Sequence, residues 1–174
     1  MVVCLVIDID DTLFVHKTLG SNIVTDYNKI RPDYQLKSQL QRITHPKYIL
    51  TNATFGHANL IINKLGIEDE FKKVYSRDNI PVMKPHPDSY EAVRIDIESS
   101  LHDQTRPQTR HQTRHQTRHQ YIFFDDLLSN LDGAHQIGWS TVWISPNYIE
   151  SYKYPYVNKA FPTLKDALDK LNFN

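Results

Sequence analysis

The chain has 174 residues, 40% apolar and 23% charged, and its 20 Lys and Arg balance its 20 Asp and Glu. That composition fits one globular domain, 1–174, large enough for a real core, and excludes a global field drawing the chain to nucleic acid or an acidic surface. The single cysteine, Cys4, excludes an internal disulfide and reads as a small core hydrophobe, and the lack of a spanning or signal-like stretch predicts a cytoplasmic protein with no membrane partner.

The first apolar run, "VVCLVI", has strand length and the unbroken hydrophobicity of a strand buried on both faces. In "RPDYQLKSQLQRI", Pro32 suits a first helical turn, and Leu36, Leu40 and Ile43 form one stripe. "KYIL" is a second strand ending at Thr51 and Asn52. "FGHANLIINKLG" follows as a helix with Phe55, Ala58, Ile62 and Leu65 on its inner face and Gly66 as its C-cap. "KVYS" predicts a short third strand, and "PDSYEAVRIDIESSL" a helix facing inward through Tyr90, Val93 and Ile97. "YIFF" is a strand stopped by Asp125 and Asp126, "SNLDGAHQIG" a helix ending at Gly138, and "TVWI" the last clear strand. "PTLKDALDKL" closes the chain with Leu164, Leu168 and Leu171 in register. Alternating strands and helices of these lengths predict an α/β fold, a doubly wound Rossmannoid parallel sheet covered on both faces.

Residues 104–120, "QTRPQTRHQTRHQTRHQ", interrupt the pattern with a four-residue repeat that has almost nothing apolar to bury. Such a tract cannot offset the entropy of ordering it, so a disordered low-complexity insertion in a surface loop is expected. Its arginines, Arg106, Arg110, Arg114 and Arg118, could touch phosphates, which keeps nucleic acid open as a partner without supporting it.

The strand ends carry the chemistry. Asp8 ends the first strand and is followed at once by Asp10 and Asp11; Thr51 ends the second, and Asp125 and Asp126 end the "YIFF" strand. In a parallel α/β sheet these carboxyl ends share one edge, where ligands collect. Lys84, in "VMKPHPDSY", comes from a loop that can reach the same edge. Carboxylates crowded together raise the cost of ionising one another, so the cluster needs a cation. An oxygen-only set suits Mg²⁺, and no His or Cys spacing argues for zinc. Carboxylates, a lysine, a hydroxyl and a metal make a site for a phosphoryl group.

These motifs resemble the haloacid dehalogenase superfamily of phosphohydrolases. "DIDDT" at 8–12 matches its DxDxT signature, "ILTN" its second motif, Lys84-Pro85 its third, and "FFDD" at 123–126 its fourth. The likeness is strongest to the pyrimidine 5′-nucleotidase-like branch, through "RPDYQL", "TNATFGHA" and "FFDDLLSNLDGAHQIGWSTVWI". The resemblance implies that Asp8 is the nucleophile, forming an aspartyl-phosphate, and that Asp10 is the general acid and base. It implies that Thr51, Asn52 and Lys84 bind the phosphoryl oxygens. Asp8, Asp125, Asp126 and the backbone carbonyl of Asp10 would hold Mg²⁺.

Between the first motif and "RPD" stands only "VHKTLGSNIVTDYNKI", too little for the folded cap of that branch. The sequence therefore predicts an essentially capless core with an open site. The leading expectation is a Mg²⁺-dependent phosphomonoester hydrolase, with macromolecular phosphoesters among its candidate substrates. A pyrimidine-nucleotide 5′-phosphatase and a catalytically idle binding protein remain the alternatives, and no oligomeric state is implied. Asp11 reads as a turn residue, Asn130 and Asp132 as helix residues, and His57 and His135 as packing or surface histidines. His86, beside Lys84, has no support as a substrate contact. Tyr148, Tyr152, Tyr154 and Tyr156 read first as an amphipathic cover and second as a stacking surface for a base.

Overall fold

A computed structural model of the chain describes residues 2–16, 18–19, 22–23, 26–104 and 119–173. Six strands form one parallel sheet: β1 (Val2–Ile7), β4 (Lys47–Leu50), β5 (Lys73–Tyr75), β6 (His119–Asp125), β7 (Ser140–Ile144) and β8 (Lys159–Phe161). Their spatial order is β5-β4-β1-β6-β7-β8, so the chain winds outward from β1 in one direction and then from β6 in the other. The change of direction opens a crevice outside the carboxyl ends of β1 and β6. Two short strands, β2 (Thr18–Leu19) and β3 (Asn22–Ile23), pair antiparallel between β1 and the first helix.

Among the described residues, five α-helices cover the sheet: α1 (Tyr34–Arg42), α2 (Phe55–Leu65), α3 (Pro87–Gln104), α4 (Leu128–Gln136) and α5 (Leu164–Lys170). β1 shows why its sequence is apolar without alternation. Leu5 and Ile7 belong to one core with residues of α1, α2 and α5, while Cys4 and Val6 belong to another with residues of α3 and α4. Both faces are buried, so both sets of side chains are hydrophobic. Burial pushes the Cys4 thiol up to about 12, as expected of an inert core residue.

Local signals set the helix ends near the site. The Thr54 hydroxyl accepts from the backbone N–H of His57 at the start of α2, a cap worth about 1 kcal/mol. Gly66, at φ +70, closes the same helix in the left-handed region. The inner face of α2 differs from expectation at its first residue. Phe55 is exposed, and Ile61 is buried with Ala58, Ile62 and Leu65. The expected helix after Pro162 stops at Lys170, with Leu171 as a cap residue packed partly on the core.

The ends of the repeat also lie inside regular structure rather than in a loop. Gln104 is the last residue of α3, and His119 and Gln120 begin β6, paired with Val2 and Val3. Backbone pairing is indifferent to side-chain polarity, so β6 runs further back than its apolar core suggests. Residues 105–118, with Arg106, Arg110, Arg114 and Arg118, lie outside the described residues. β8 was not expected; three residues immediately before Pro162 are too few for a periodic signal. Tyr154 and Tyr156 pack against the second core, with Tyr154 edge-on to Trp143, whereas Tyr152 is exposed.

Among the described residues no further domain covers the carboxyl edge of the sheet. β2, β3 and a turn of 3₁₀ helix at Tyr27–Lys29 are the regular structure between β1 and α1. Among the described residues no helix is long and apolar enough to cross a membrane.

Candidate active site

Three strand ends bring the acidic residues and Thr51 together. The Asp8 N–H donates to the Phe124 carbonyl at 2.9 Å, extending the pairing of β1 with β6 to the edge where Asp125 ends its strand. Thr51, after β4, donates its N–H to the Tyr75 carbonyl and accepts at its hydroxyl from the Ala53 N–H. After Asp8 the chain turns sharply. Asp11 adopts φ +58, which Asp tolerates better than bulkier residues, and its carboxylate accepts from the His16 N–H. Buried Ile9 and Leu13 anchor this turn in the core, leaving Asp10 on the open side.

Lys84 arrives from the loop before α3 and is held by its own backbone. The Asn52 side chain donates to the Lys84 carbonyl at 2.9 Å and accepts from its N–H at 3.0 Å. On the other side Gly133 of α4 lets the loop approach. A Cβ there would stand 2.3 Å from the Pro85 carbonyl oxygen, closer than real side chains come. That contact explains a glycine inside a helix, where it is otherwise unfavourable.

The Lys84 ammonium reaches both Asp8 Oδ1 and Asp125 Oδ2 at 2.7 Å, with all three side chains buried. Carboxylate oxygens of Asp8, Asp125 and Asp126 lie within 4.8 Å of one another. One cation therefore faces three carboxylates. Burial pushes the Asp8 carboxyl up to about 8; Lys84 opposes the rise, while Asp125 and Asp126 add to it. Burial also raises Asp126 to about 6, with Asp125 and Asp11 contributing. For Lys84 burial works against the charge, but Asp125 and Asp8 outweigh it and hold the ammonium above its ordinary range. The lysine stays charged, while Asp8 and Asp126 resist ionising. That residual strain, with an oxygen-only donor set, fits a hard divalent cation bound by Asp8, Asp125 and Asp126.

The cavity here, about 300 Å³, is lined by Asp8, Asp10, Thr51, Lys84, Asp126 and Arg77, among others. A somewhat larger cavity bordered by Leu13, Leu36, Leu65 and Leu164 carries a single carboxylate, Asp33, so its chemistry does not compete.

Asp8, Thr51, Lys84, Asp125 and Asp126 meet at one place, with Asp10 on its rim. Asn52 lines the same cavity, yet its amide is engaged with the Lys84 backbone. His86 is paired with Asp88, away from the cluster. Five further residues belong to this region. Asn130 donates to both oxygens of Asp125 at 3.0 and 3.1 Å, and Trp143 donates to the Asp126 carbonyl at 2.8 Å. His16 and His57 both place Nε2 on Asp10 Oδ1, at 2.6 and 2.7 Å. His57, which the sequence presents only as a packing or surface histidine, and His16 come from a helix and a loop 41 positions apart, so no local spacing joins them. Arg77, whose Nε donates to the Asn52 carbonyl, also had no local signal.

Comparison with known proteins identifies the family and the fold. A family model described as haloacid dehalogenase-like hydrolase matches residues 3–138. Among solved structures, the L-2-haloacid dehalogenase of Xanthobacter autotrophicus aligns with a TM-score of 0.55 at 20% identity, covering 82% of this chain and 62% of that one. A HAD phosphatase from Thermococcus onnurineus gives 0.55 at 20% identity, covering 78% and 54%. YfnB of Bacillus subtilis, solved with magnesium bound, gives 0.53 at 17% identity, covering 78% and 52%. The chain thus spans 52–62% of the length of these three structures, and at such identities the likeness concerns the fold.

Proposed function

The chain belongs to the haloacid dehalogenase-like hydrolases, and from that premise we propose that it hydrolyses phosphate monoesters through a covalent aspartyl-phosphate, with Mg²⁺ as its metal. The observation that carries this reading is the buried pair Asp8 and Asp125 on one lysine, with the half-buried Asp126 carboxylate beside them and Asp10 two residues beyond Asp8.

Neighbours of this fold include both phosphatases and dehalogenases, and leaving-group chemistry separates the two. A halide departs as a weak base and needs no proton, whereas the alkoxide of a phosphate ester does. Asp10, placed at the rim, is suited to giving that proton. Phosphate also brings negative charge into an already acidic site, which calls for a bound cation more strongly than carbon–halogen cleavage does.

Asp8 attacks phosphorus as the P–O bond to the leaving group breaks, and Asp10 protonates the departing oxygen. Water then attacks the phosphorus of the aspartyl-phosphate and gives a proton to Asp10, and inorganic phosphate leaves with Asp8 restored. Lys84 fixes one Asp8 oxygen and offsets charge on the transferring group, Thr51 donates its hydroxyl to a phosphoryl oxygen, and Asn52 positions the Lys84 loop. Asp8, Asp125, Asp126 and the Asp10 carbonyl would hold Mg²⁺, which when bound supplies positive charge to the phosphoryl oxygens.

The open rim bears on the substrate. A mononucleotide would leave base and sugar largely in solvent, while a larger phosphorylated molecule could cover the site with its own surface. The test is hydrolysis of an aryl phosphate with Mg²⁺ and with excess chelator, followed by kcat/KM on pyrimidine mononucleotides, phosphopeptides and end-phosphorylated oligonucleotides. Loss of activity in chelator and a preference for a larger substrate are expected. Full turnover in chelator would overturn the metal assignment, and a monomer strongly selective for one mononucleotide would establish the nucleotidase reading instead.

A further inference from the structure

The side chains around Asp10 differ in kind from those around Asp8. His16 and His57 both direct Nε2 at the same oxygen, Asp10 Oδ1, at 2.6 and 2.7 Å. The two imidazole rings lie 6.2 Å apart and are inclined by only 20°, so their nitrogens approach one point side by side. The three donor atoms fall within 4.8 Å of one another. We propose that Asp10, His16 and His57 form a second metal site, for an ion of the zinc class, whose occupation withdraws Asp10 from proton transfer and so inhibits the enzyme.

Donor chemistry separates the two sets. Two imidazole nitrogens and one carboxylate are borderline-soft donors that suit Zn²⁺ or Co²⁺, whereas the all-carboxylate set suits Mg²⁺. No side chain belongs to both sets, so the two kinds of ion need not compete for a side-chain donor, although the Asp10 backbone carbonyl is assigned to Mg²⁺. Three protein donors leave a position open to water, as in exposed zinc sites. The access is real: Asp10, His16 and His57 line an open cavity with Ala53, Thr54 and Arg77, and their side chains are 35%, 9% and 21% exposed.

The surroundings of His57 support ligation. Its other ring nitrogen, Nδ1, lies 3.3 Å from the Tyr27 hydroxyl. A histidine that gives Nε2 to a metal carries its proton on Nδ1, and Tyr27 can accept it, which fixes the ring as outer partners of zinc ligands do. The hydroxyl can equally donate to Nδ1 when Nε2–H is bonded to Asp10, so one tyrosine serves the site empty or filled.

Metal binding here does not depend on the phosphatase reading; only the inhibition does. Co²⁺ is titrated into the protein in excess Mg²⁺ while visible absorption is followed, and Zn²⁺ is then added. We expect bands saturating at one Co²⁺ per chain and chased by Zn²⁺, with affinity lowered at least about tenfold in H57Q and in H16Q and about tenfold in Y27F, which keeps all three ligands. Folding of each variant is checked by circular dichroism. Unchanged Co²⁺ affinity in both histidine variants and in Y27F, or displacement of Co²⁺ by Mg²⁺ alone, would overturn the site. In turnover assays, inhibition should require at least about tenfold more Zn²⁺ in H57Q than in wild type. Equal sensitivity would overturn the inhibitory role.

Discussion

Asp8 and Asp10 are two residues apart, yet they sit in different electrostatic worlds. Asp8 is buried with Asp125 against a single lysine, and burial pushes its carboxyl up to about 8. Asp10 is partly exposed, and two imidazoles rest on one of its oxygens. One cluster carries more negative charge than its surroundings can hold; the other is satisfied by hydrogen bonds as it stands. The backbone turn at Asp11 creates this difference by swinging the chain from the sheet edge to the rim within three residues. The nucleophile and acid–base roles proposed for Asp8 and Asp10 need such unlike settings, because the first must be anionic beside a metal and the second must exchange protons.

The comparison is most severely tested by replacing each carboxylate in turn. Asp8→Asn should lower hydrolysis of every phosphate ester by at least about 10³-fold with the fold retained, since no other group can form the covalent intermediate. Asp10→Asn should cost about 10²–10⁴-fold on alkyl phosphates and much less on an activated aryl phosphate, whose leaving group needs little protonation. Equal losses on both substrates would show that Asp10 does not act as the acid.

A second test reaches the buried cluster through its support. Gly133→Ala would force its Cβ against the Pro85 carbonyl, displacing the loop that delivers Lys84. A loss of about 1–3 kcal/mol is expected, with turnover falling more than the melting temperature suggests. An unchanged protein would mean that the loop yields freely and that Lys84 is not held by this contact.

Protons and metal should compete at the buried cluster. Unfolded Asp titrates near about pH 4, whereas folded Asp8 and Asp126 are raised to about 8 and about 6. The metal-free fold therefore keeps protons there that the unfolded chain releases. Their contribution to stability is fully present below about pH 4 and is lost as pH rises through the folded values. Mg²⁺ bound as proposed would replace those protons, so its increase in Tm should be larger at pH 8.5 than at pH 5.5. Equal shifts at the two pH values would place the metal elsewhere.

The smallest effect is expected far from both clusters. Replacing residues 105–118 with a short Gly/Ser linker should leave Tm and aryl-phosphatase activity nearly unchanged, provided Gln104, His119 and Gln120 are kept for α3 and β6. If the arginines bind nucleic acid, a salt-sensitive affinity would disappear with them. Loss of folding would show that the tract supports the sheet.

Much of the molecule could be read from the chain. The strands β1, β4 and β6 announced themselves as apolar runs ending in polar residues, and Gly66 and Gly138 both take the left-handed conformation expected at helix ends. Phe55 misled because the first turn of a helix can point outward whatever its periodicity, and β8 was too short for its pattern to register. The finer likeness to the pyrimidine branch rests on its motifs, while the family match spans residues 3–138.

What the sequence alone determined is the order of the elements, the two-sided burial of the central strand, and the carboxylates that a parallel sheet delivers to one edge. These follow from local periodicity and from the direction of parallel strands, both written in consecutive residues. What only the tertiary structure decided is which side chains from distant segments share an atom. Asn130 rests on Asp125, Gly133 admits the Lys84 loop, and His16 and His57 close on Asp10 from positions 41 residues apart. No local pattern encodes such meetings, because they depend on how a turn, a helix and a loop pack in three dimensions, and hydrogen bonds and ligand sets form only once that packing is complete.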